Sequence, residues 1–186
     1  MFVRTQRLTL RPGWPEDAPE LAYAIGHESV VRNLALVPWP YPIEAAETFL
    51  GHFDDPTEPK FLMFEHHRGA TRLIGGMAVG AYKEWPNELG YWLTPDCWGR
   101  GYATEAGRAV LQAARARGIR HVTAGHFVDN PASGGVLRKL GFRPTGRTAP
   151  CFSRGRGCEA MTVRYTIDLD EGDCGGDLGD DARMAA

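Results

Sequence analysis

The run Asp96-Cys97-Trp98-Gly99-Arg100-Gly101-Tyr102-Ala103-Thr104-Glu105-Ala106 is the part of this chain best fitted to hold an anion. Its two glycines stand where an apolar, strand-like stretch gives way to a helical one. Such a turn presents unpaired backbone N–H groups at the positive end of a helix dipole, a setting suited to a pyrophosphate. Arg100 adds a positive charge and Thr104 a hydroxyl in the first turn. The same glycines also suit a plain tight turn, and on their own they leave both readings open. Two nucleotide motifs are excluded. GxxxxGK[ST] does not occur, and no GxGxxG is followed by an acidic residue about 20 positions on. That argues against an NTPase or a dinucleotide-dependent dehydrogenase. Metal chemistry has little to work with. Cys97, Cys151, Cys158 and Cys174 form no CxxC pair. A Cys151–Cys158 disulfide is possible, but reduced thiols are the preferred reading for a cytosolic chain. His66 and His67 are adjacent and would face opposite sides of a strand, as exposed residues and not as a shared metal site.

The elements that must place the glycine turn can be read from periodicity. Residues 7–11 (RLTLR) alternate as a first strand. A helix opens at Asp17-Ala18-Pro19-Glu20, with Asp17 as N-cap and Pro19 in the first turn. A second helix spans about 42–53, its face formed by Ala45, Ala46, Phe49, Leu50 and Phe53. Three prolines within 36–42 make the connection between these helices an extended, stiff loop. Strands follow at 60–66, 73–82 and 88–93. The clearest helix runs over 102–117, with an apolar stripe at Ala103, Ala106, Val110, Leu111 and Ala114, and Gly118 ends it. A strand at 121–128, a short helix at 131–140 behind Asn130, and two closing strands complete the order β-α-α-β-β-β-α-β-α-β-β. The strands at 88–93 and 121–128, joined through the long helix, should be parallel. The fold class is α/β (α+β), a mixed, splayed central sheet with helices on both faces.

Composition bounds the setting. At 186 residues, 43% hydrophobic and 24% charged, the chain suits a single soluble domain. It contains no apolar run of the roughly 20 residues needed to span a bilayer and no secretory leader pattern, so a cytoplasmic location is expected. The net charge is −2. Residues from Asp170 onward hold six acids and one arginine, leaving 20 basic and 17 acidic residues over 1–169. That is too mild a balance for a nucleic-acid binder. The expected organisation is one domain over 1–169 and a disordered acidic tail over 170–186.

Gly99-Arg100-Gly101-Tyr102-Ala103 within WGRGYATEA resembles the coenzyme A pyrophosphate loop of the GNAT acetyltransferase superfamily. Three further segments, in the right order, resemble its ribosomal-protein N-terminal (Rim-type) branch. They are Arg4-Thr5-Gln6-Arg7-Leu8-Thr9-Leu10-Arg11-Pro12, Glu88-Leu89-Gly90-Tyr91-Trp92-Leu93, and Asn130-Pro131-Ala132-Ser133 through Val136-Leu137-Arg138-Lys139-Leu140-Gly141-Phe142. The resemblance covers roughly residues 4–168. It implies direct transfer of acetyl from acetyl-CoA to a primary amine in a ternary complex, without a metal. It implies that the pantetheine arm pairs with Tyr91, Trp92 and Leu93. The pyrophosphate would sit on the N–H groups of Trp98, Gly99, Arg100, Gly101, Tyr102, Ala103 and Thr104.

Acetyl transfer needs a deprotonated amine, a polarised carbonyl and a proton for the leaving thiolate. Glu88 is the candidate base, acting through water, with burial expected to raise its pKa; an exposed strand-end charge is the other reading. His126 is a rival, more simply read as a structural histidine. The family's usual tyrosine is missing from the 131–140 helix, so the Rim-type resemblance offers Ser133 as donor to the sulfur and Asn130 as a contact to pantetheine. Both residue types also cap helices. Gly134-Gly135 costs on the order of 1 kcal/mol per residue in a helix, and a close approach to the cofactor would explain it. Trp39 and Tyr41 are the substrate-side candidates, with packing on the sheet as the alternative. The acceptor is a protein N-terminal α-amine or a small-molecule amine, and the protein is expected to be a monomer or homodimer. The competing readings are a non-catalytic acetyl-CoA-binding protein and an acyltransferase using another acyl-CoA.

Overall fold

Leu8 and Leu10 alternate with polar neighbours, and both are fully buried; this is the pleat expressed as packing. The computed structural model describes residues 1–53, 58–67 and 69–169, His67 by its backbone alone. The expected tail, 170–186, lies outside the described residues. The strands are β1 (Val3–Arg4), β2 (Leu8–Arg11), β3 (Lys60–His67), β4 (Ala70–Tyr82), β5 (Trp85–Leu93), β6 (His121–Phe127), β7 (Arg143–Ser153) and β8 (Cys158–Asp168). The helices are α1 (Ala18–Ile25), α2 (Glu28–Val31), α3 (Ile43–Leu50), α4 (Tyr102–Ala116) and α5 (Pro131–Lys139). Among the described residues they form one sheet in the order β1-β2-β3-β4-β5-β6-β8-β7.

The sheet is mixed, as expected, with parallel pairing confined to β5 and β6. That pair holds at Glu88↔Thr123 and Leu89↔Ala124 only. Beyond those positions β5 runs on to Leu93 against β4 while β6 runs on to Phe127 against β8, so the two strands part and leave a V-shaped gap. On one face the apolar stripe of α4 and Leu137 of α5 pack with Leu8, Leu10, Leu89, Leu93, Val122 and Ala124. On the other, α1 and α3 bury Leu21, Ala46 and Leu50 against Leu62, Phe64, Leu73 and Trp92. Residues of β5 therefore alternate between two cores, and this fixes which way each points across the gap.

Short elements escaped the periodicity. β1 is two residues and α2 is four, each below the length at which a pattern repeats. The second expected helix ends at Leu50, with Phe53 beyond it against the edge of the Phe49 ring. Asp17 occupies the N-cap position of α1, but its side chain makes no cap bond there. Instead it accepts the Trp14 N–H at 2.8 Å and both Arg11 Nη groups at 2.7 Å. His66 is half buried, with a ring nitrogen 2.6 Å from Thr9 Oγ1, and not solvent-exposed as expected. Cys97, Cys151 and Cys158 are free thiols.

Candidate active site

The glycine turn lies where expected, at the end of β5 and the start of α4. Gly99 and Gly101 both adopt left-handed backbone, φ +71° and +83°. Gly101 is the N-cap of α4, a conformation an L side chain would strain. The first helical bond runs from Glu105 N–H to the Gly101 carbonyl, so the N–H groups of Tyr102, Ala103 and Thr104 precede the ladder. The side chains of Tyr102 and Ala103 are buried, and these residues can meet an anion only through their backbone. Trp98 is about half exposed, and its indole N–H donates to the Leu93 carbonyl at 2.9 Å, tying the turn to the end of β5.

Electrostatics around the turn differ from the sequence reading. Arg100 is not a lone charge, because its guanidinium lies 3.2 Å from a carboxylate oxygen of buried Glu65. Glu65 also accepts from the Tyr102 hydroxyl and from Arg72. Arg7 and Arg100 place their guanidiniums over the Tyr102 ring, at 4.4 and 4.9 Å from its centroid. Arg7 further donates to the Arg100 carbonyl at 2.9 Å. Glu105, in the first turn of α4, accepts the Thr5 hydroxyl at 2.6 Å, the Arg7 N–H at 2.9 Å and Arg7 Nε at 2.7 Å. Burial pushes the Glu105 carboxyl up, but these bonds outweigh it and hold it below the ordinary value. Sequence reasoning missed Arg7, Glu65 and Glu105 as one assembly. Its only signal was the presence of all three charges beside apolar stripes.

Glu88 sits at the apex of the gap, at the first of the two β5–β6 pairs. It is not the lone desolvated carboxylate expected, since Arg164 on β8 grips it at 2.6 and 3.1 Å. Arg164 is paired with Gly125 in the β6–β8 register, where a Cβ would lie 2.7 Å from its Nη1, and it stacks over Trp85 at 4.8 Å. A cavity of about 530 Å³ adjoins this pair, lined in part by Arg164, Trp85, Tyr82, Thr123, Cys151 and Thr162. His126 points to the opposite face, under α5. One ring nitrogen is 2.8 Å from the Phe127 carbonyl and the other 3.5 Å from the Tyr165 hydroxyl, which makes it a satisfied structural histidine.

Across the gap, Asn130 caps α5 by accepting the Ser133 N–H. The Ser133 hydroxyl meets the Tyr91 hydroxyl at 2.6 Å. Trp92 and Leu93 bury their side chains in opposite cores, so toward the gap they offer only backbone. Gly134 is explained by protein and not by cofactor, because a Cβ there would lie 2.5 Å from His126 Nε2. Gly135 faces open space. Of the substrate-side pair, Tyr41 packs against the α1–α3 core, and burial pushes its phenol up to about 12. Trp39 stays 42% exposed.

A wall not foreseen closes the α1 side. The β7–β8 turn docks on the end of α2 through Ser153 Oγ to the Leu34 carbonyl at 2.8 Å and Arg154 N–H to the Ala35 carbonyl at 2.9 Å. Arg156 grips Asp129 at 2.7 and 2.9 Å and lies over the Phe127 ring. Its guanidinium holds the Asp129 carboxyl below the usual range.

The chain, whose parallel pair parts over a glycine-capped helix N-terminus, is of the class of acyl-CoA-dependent transferases. More narrowly, the acetyltransferase (GNAT) domain family matches residues 7–143, and the chain belongs to it. Acetyl transfer to amines is the general reaction of that family. The uncharacterized N-acetyltransferase YoaA of Bacillus subtilis (strain 168) is 28% identical over 151 residues, covering 78% of this chain and 84% of the relative. The fold is also that of a GNAT-family acetyltransferase from Bacillus anthracis, with a TM-score of 0.76 at 22% identity over 91% of this chain and 99% of that one. RimL, the ribosomal L7/L12 α-N-protein acetyltransferase solved with coenzyme A, superposes with a TM-score of 0.74 at 20% identity over 91% and 99%. No helix of the described residues is long and apolar enough to cross a membrane.

Proposed function

We propose that the protein transfers acetyl from acetyl-CoA directly to a primary amine, a protein N-terminal α-amine or that of a small molecule, in a ternary complex. The observation that carries this is the parting of β5 from β6 directly before the Gly101-capped end of α4. When bound there, acetyl-CoA supplies the activated acyl group as a thioester. Residues 90–92 offer strand backbone to the pantetheine arm, the Leu93 carbonyl being taken by Trp98. The N–H groups of 99–104 cradle the pyrophosphate, that of Trp98 being taken by the Pro95 carbonyl at 3.1 Å, with Arg7 and Arg100 supplying positive charge at the turn. Asn130 holds the start of α5 so that Ser133 faces the gap.

The amine enters on the face that carries the Glu88–Arg164 pair, where the adjoining cavity gives it room. Glu88 receives the ammonium proton through an intervening water, while Arg164 fixes the carboxylate's orientation. Trp39, which keeps much of its ring exposed, is assigned as the contact to the acceptor. The free thiols of Cys97, Cys151 and Cys158, among the described residues, suit a cytoplasmic setting.

The test is calorimetric titration with acetyl-CoA, propionyl-CoA, CoA and NAD, followed by thiol release with a panel of amines and N-terminal peptides. Micromolar binding of acetyl-CoA, with release stimulated by one acceptor, is the expected result. Binding without stimulated release across a broad panel would favour an acetyl-CoA sensor. No binding of any coenzyme A species would overturn the reading.

A further inference from the structure

α5 carries no tyrosine, yet a phenol reaches its first turn from the other side of the gap. Tyr91 lies two residues beyond the last β5–β6 pair. Its hydroxyl is 2.6 Å from Ser133 Oγ and 3.1 Å from the Ser133 carbonyl oxygen. We propose that Tyr91 is a positioning residue for acetyl transfer. Its hydroxyl donates to Ser133 Oγ, so that the seryl proton is presented to the sulfur of the departing coenzyme A. The inference rests on the acetyltransferase reading above.

A seryl hydroxyl alone has one proton and a free rotor, and it donates only in whatever direction its acceptors dictate. Tyr91 removes that freedom. With the gap empty, the seryl proton can rest on the phenol oxygen while the phenol proton goes to the Ser133 carbonyl. With a thiolate in the gap, the phenol proton turns to Oγ and the seryl proton to sulfur. Both groups stay satisfied in either arrangement, so the switch leaves no buried polar atom stranded. Burial pushes the Tyr91 phenol up to about 12, with its bond to Ser133 pulling the other way, and it remains a donor throughout the working range of the reaction.

The step balances. The amine lone pair forms the new C–N bond, and the C–S bond breaks with its electron pair going to sulfur. The amine proton leaves through water toward Glu88 and then to solvent. The seryl hydrogen bond holds the sulfur's charge until a solvent proton neutralises it. Donors aimed at developing charge are worth most in such a sheltered setting.

Tyr91→Phe, Ser133→Ala and the double variant test this in the full chain. The first readout is independent of turnover: the pKa of the CoA thiol in the binary complex, followed by thiolate absorbance in the ultraviolet. Ser133→Ala, which removes the hydrogen bond to the charge, should raise it by about one unit, and Tyr91→Phe, which frees the seryl rotor, should raise it by a measurable part of that. Tyr91→Phe should also lower kcat about 10- to 100-fold while leaving the acetyl-CoA Kd within about two-fold. The double variant should match Ser133→Ala. An unchanged thiol pKa would overturn the proposal, as would losses that multiply in the double variant. So would a rise in Kd that merely follows a lower melting temperature, since packing alone would produce it. Absence of CoA binding by the wild-type protein would overturn this inference together with the functional reading, and is recognisable as such.

Discussion

Replacing Glu105 with alanine removes the acceptor for three donors at once: the Thr5 hydroxyl, the Arg7 backbone N–H and Arg7 Nε. A buried donor left without a partner costs about 1–3 kcal/mol. Thr5 and Arg7 are only partly buried, so the lower half of that range applies to each. The ion pair adds less, under about 1 kcal/mol, because the Arg7 side chain is 41% exposed. The expected loss is about 2–5 kcal/mol, read as a shift in urea midpoint at neutral pH. Glu105→Gln keeps one carbonyl acceptor and should lose about half as much.

The pH dependence of that loss separates the carboxylate from generic packing. The Glu105 carboxyl is held below its ordinary value of 4.5 in the folded chain. Its contribution is therefore fully present above that unfolded value and fades as pH falls through the lower folded one. The gap between wild type and Glu105→Ala should narrow on going from about pH 5 to about pH 3. A neutral-pH loss under about 1 kcal/mol, or a gap that does not change with pH, would refute the reasoning.

Three other substitutions probe the site. Gly101→Val forces a β-branched residue into φ +83° at the glycine turn and, on the proposed placement of the pyrophosphate, should abolish acetyl-CoA binding in calorimetry; retained affinity would mean the cofactor lies elsewhere. Glu88→Gln should lower kcat by about 10²- to 10⁴-fold at constant acetyl-CoA Kd, and unchanged turnover would remove it from the mechanism. Gly134→Ala sets a roughly 1 kcal/mol gain in helix propensity against a contact 2.5 Å from His126 Nε2, where overpacking costs about 1–3 kcal/mol; it should melt lower than wild type. Gly135→Ala, in open space, should melt higher, and equal shifts would contradict the packing account of Gly134.

What could be read in advance was local. The β5–α4–β6 crossover, the glycine turn and the Asn130 cap each occupy a short window with its own chemistry, and each stands where expected. What stayed hidden was pairing at a distance. Glu65 meets Arg100 and Tyr102 across 35 and 37 positions, Arg164 meets Glu88 across 76, and Arg7 meets Glu105 across 98. No periodicity encodes such partners, because a charge on a strand looks the same whether solvent or a guanidinium faces it. Nothing local announces the Arg164 guanidinium beside Glu88, and Asp17, which stands at the N-cap of α1 as expected, turns its carboxylate to Arg11 and Trp14 instead of to the helix.

The docking of the β7–β8 turn on the end of α2 bears on the order of events during synthesis. Ser153 contacts Leu34 across 119 residues, and Arg156 reaches Arg32 across 124. Until residues 153–156 have left the ribosome, the loop after α2 has no partner for those carbonyls, whereas the β5–α4–β6 crossover is by then complete. The nascent chain can thus complete the β5–α4–β6 crossover while the α2 side of the gap is still open, and only the last hairpin closes that side.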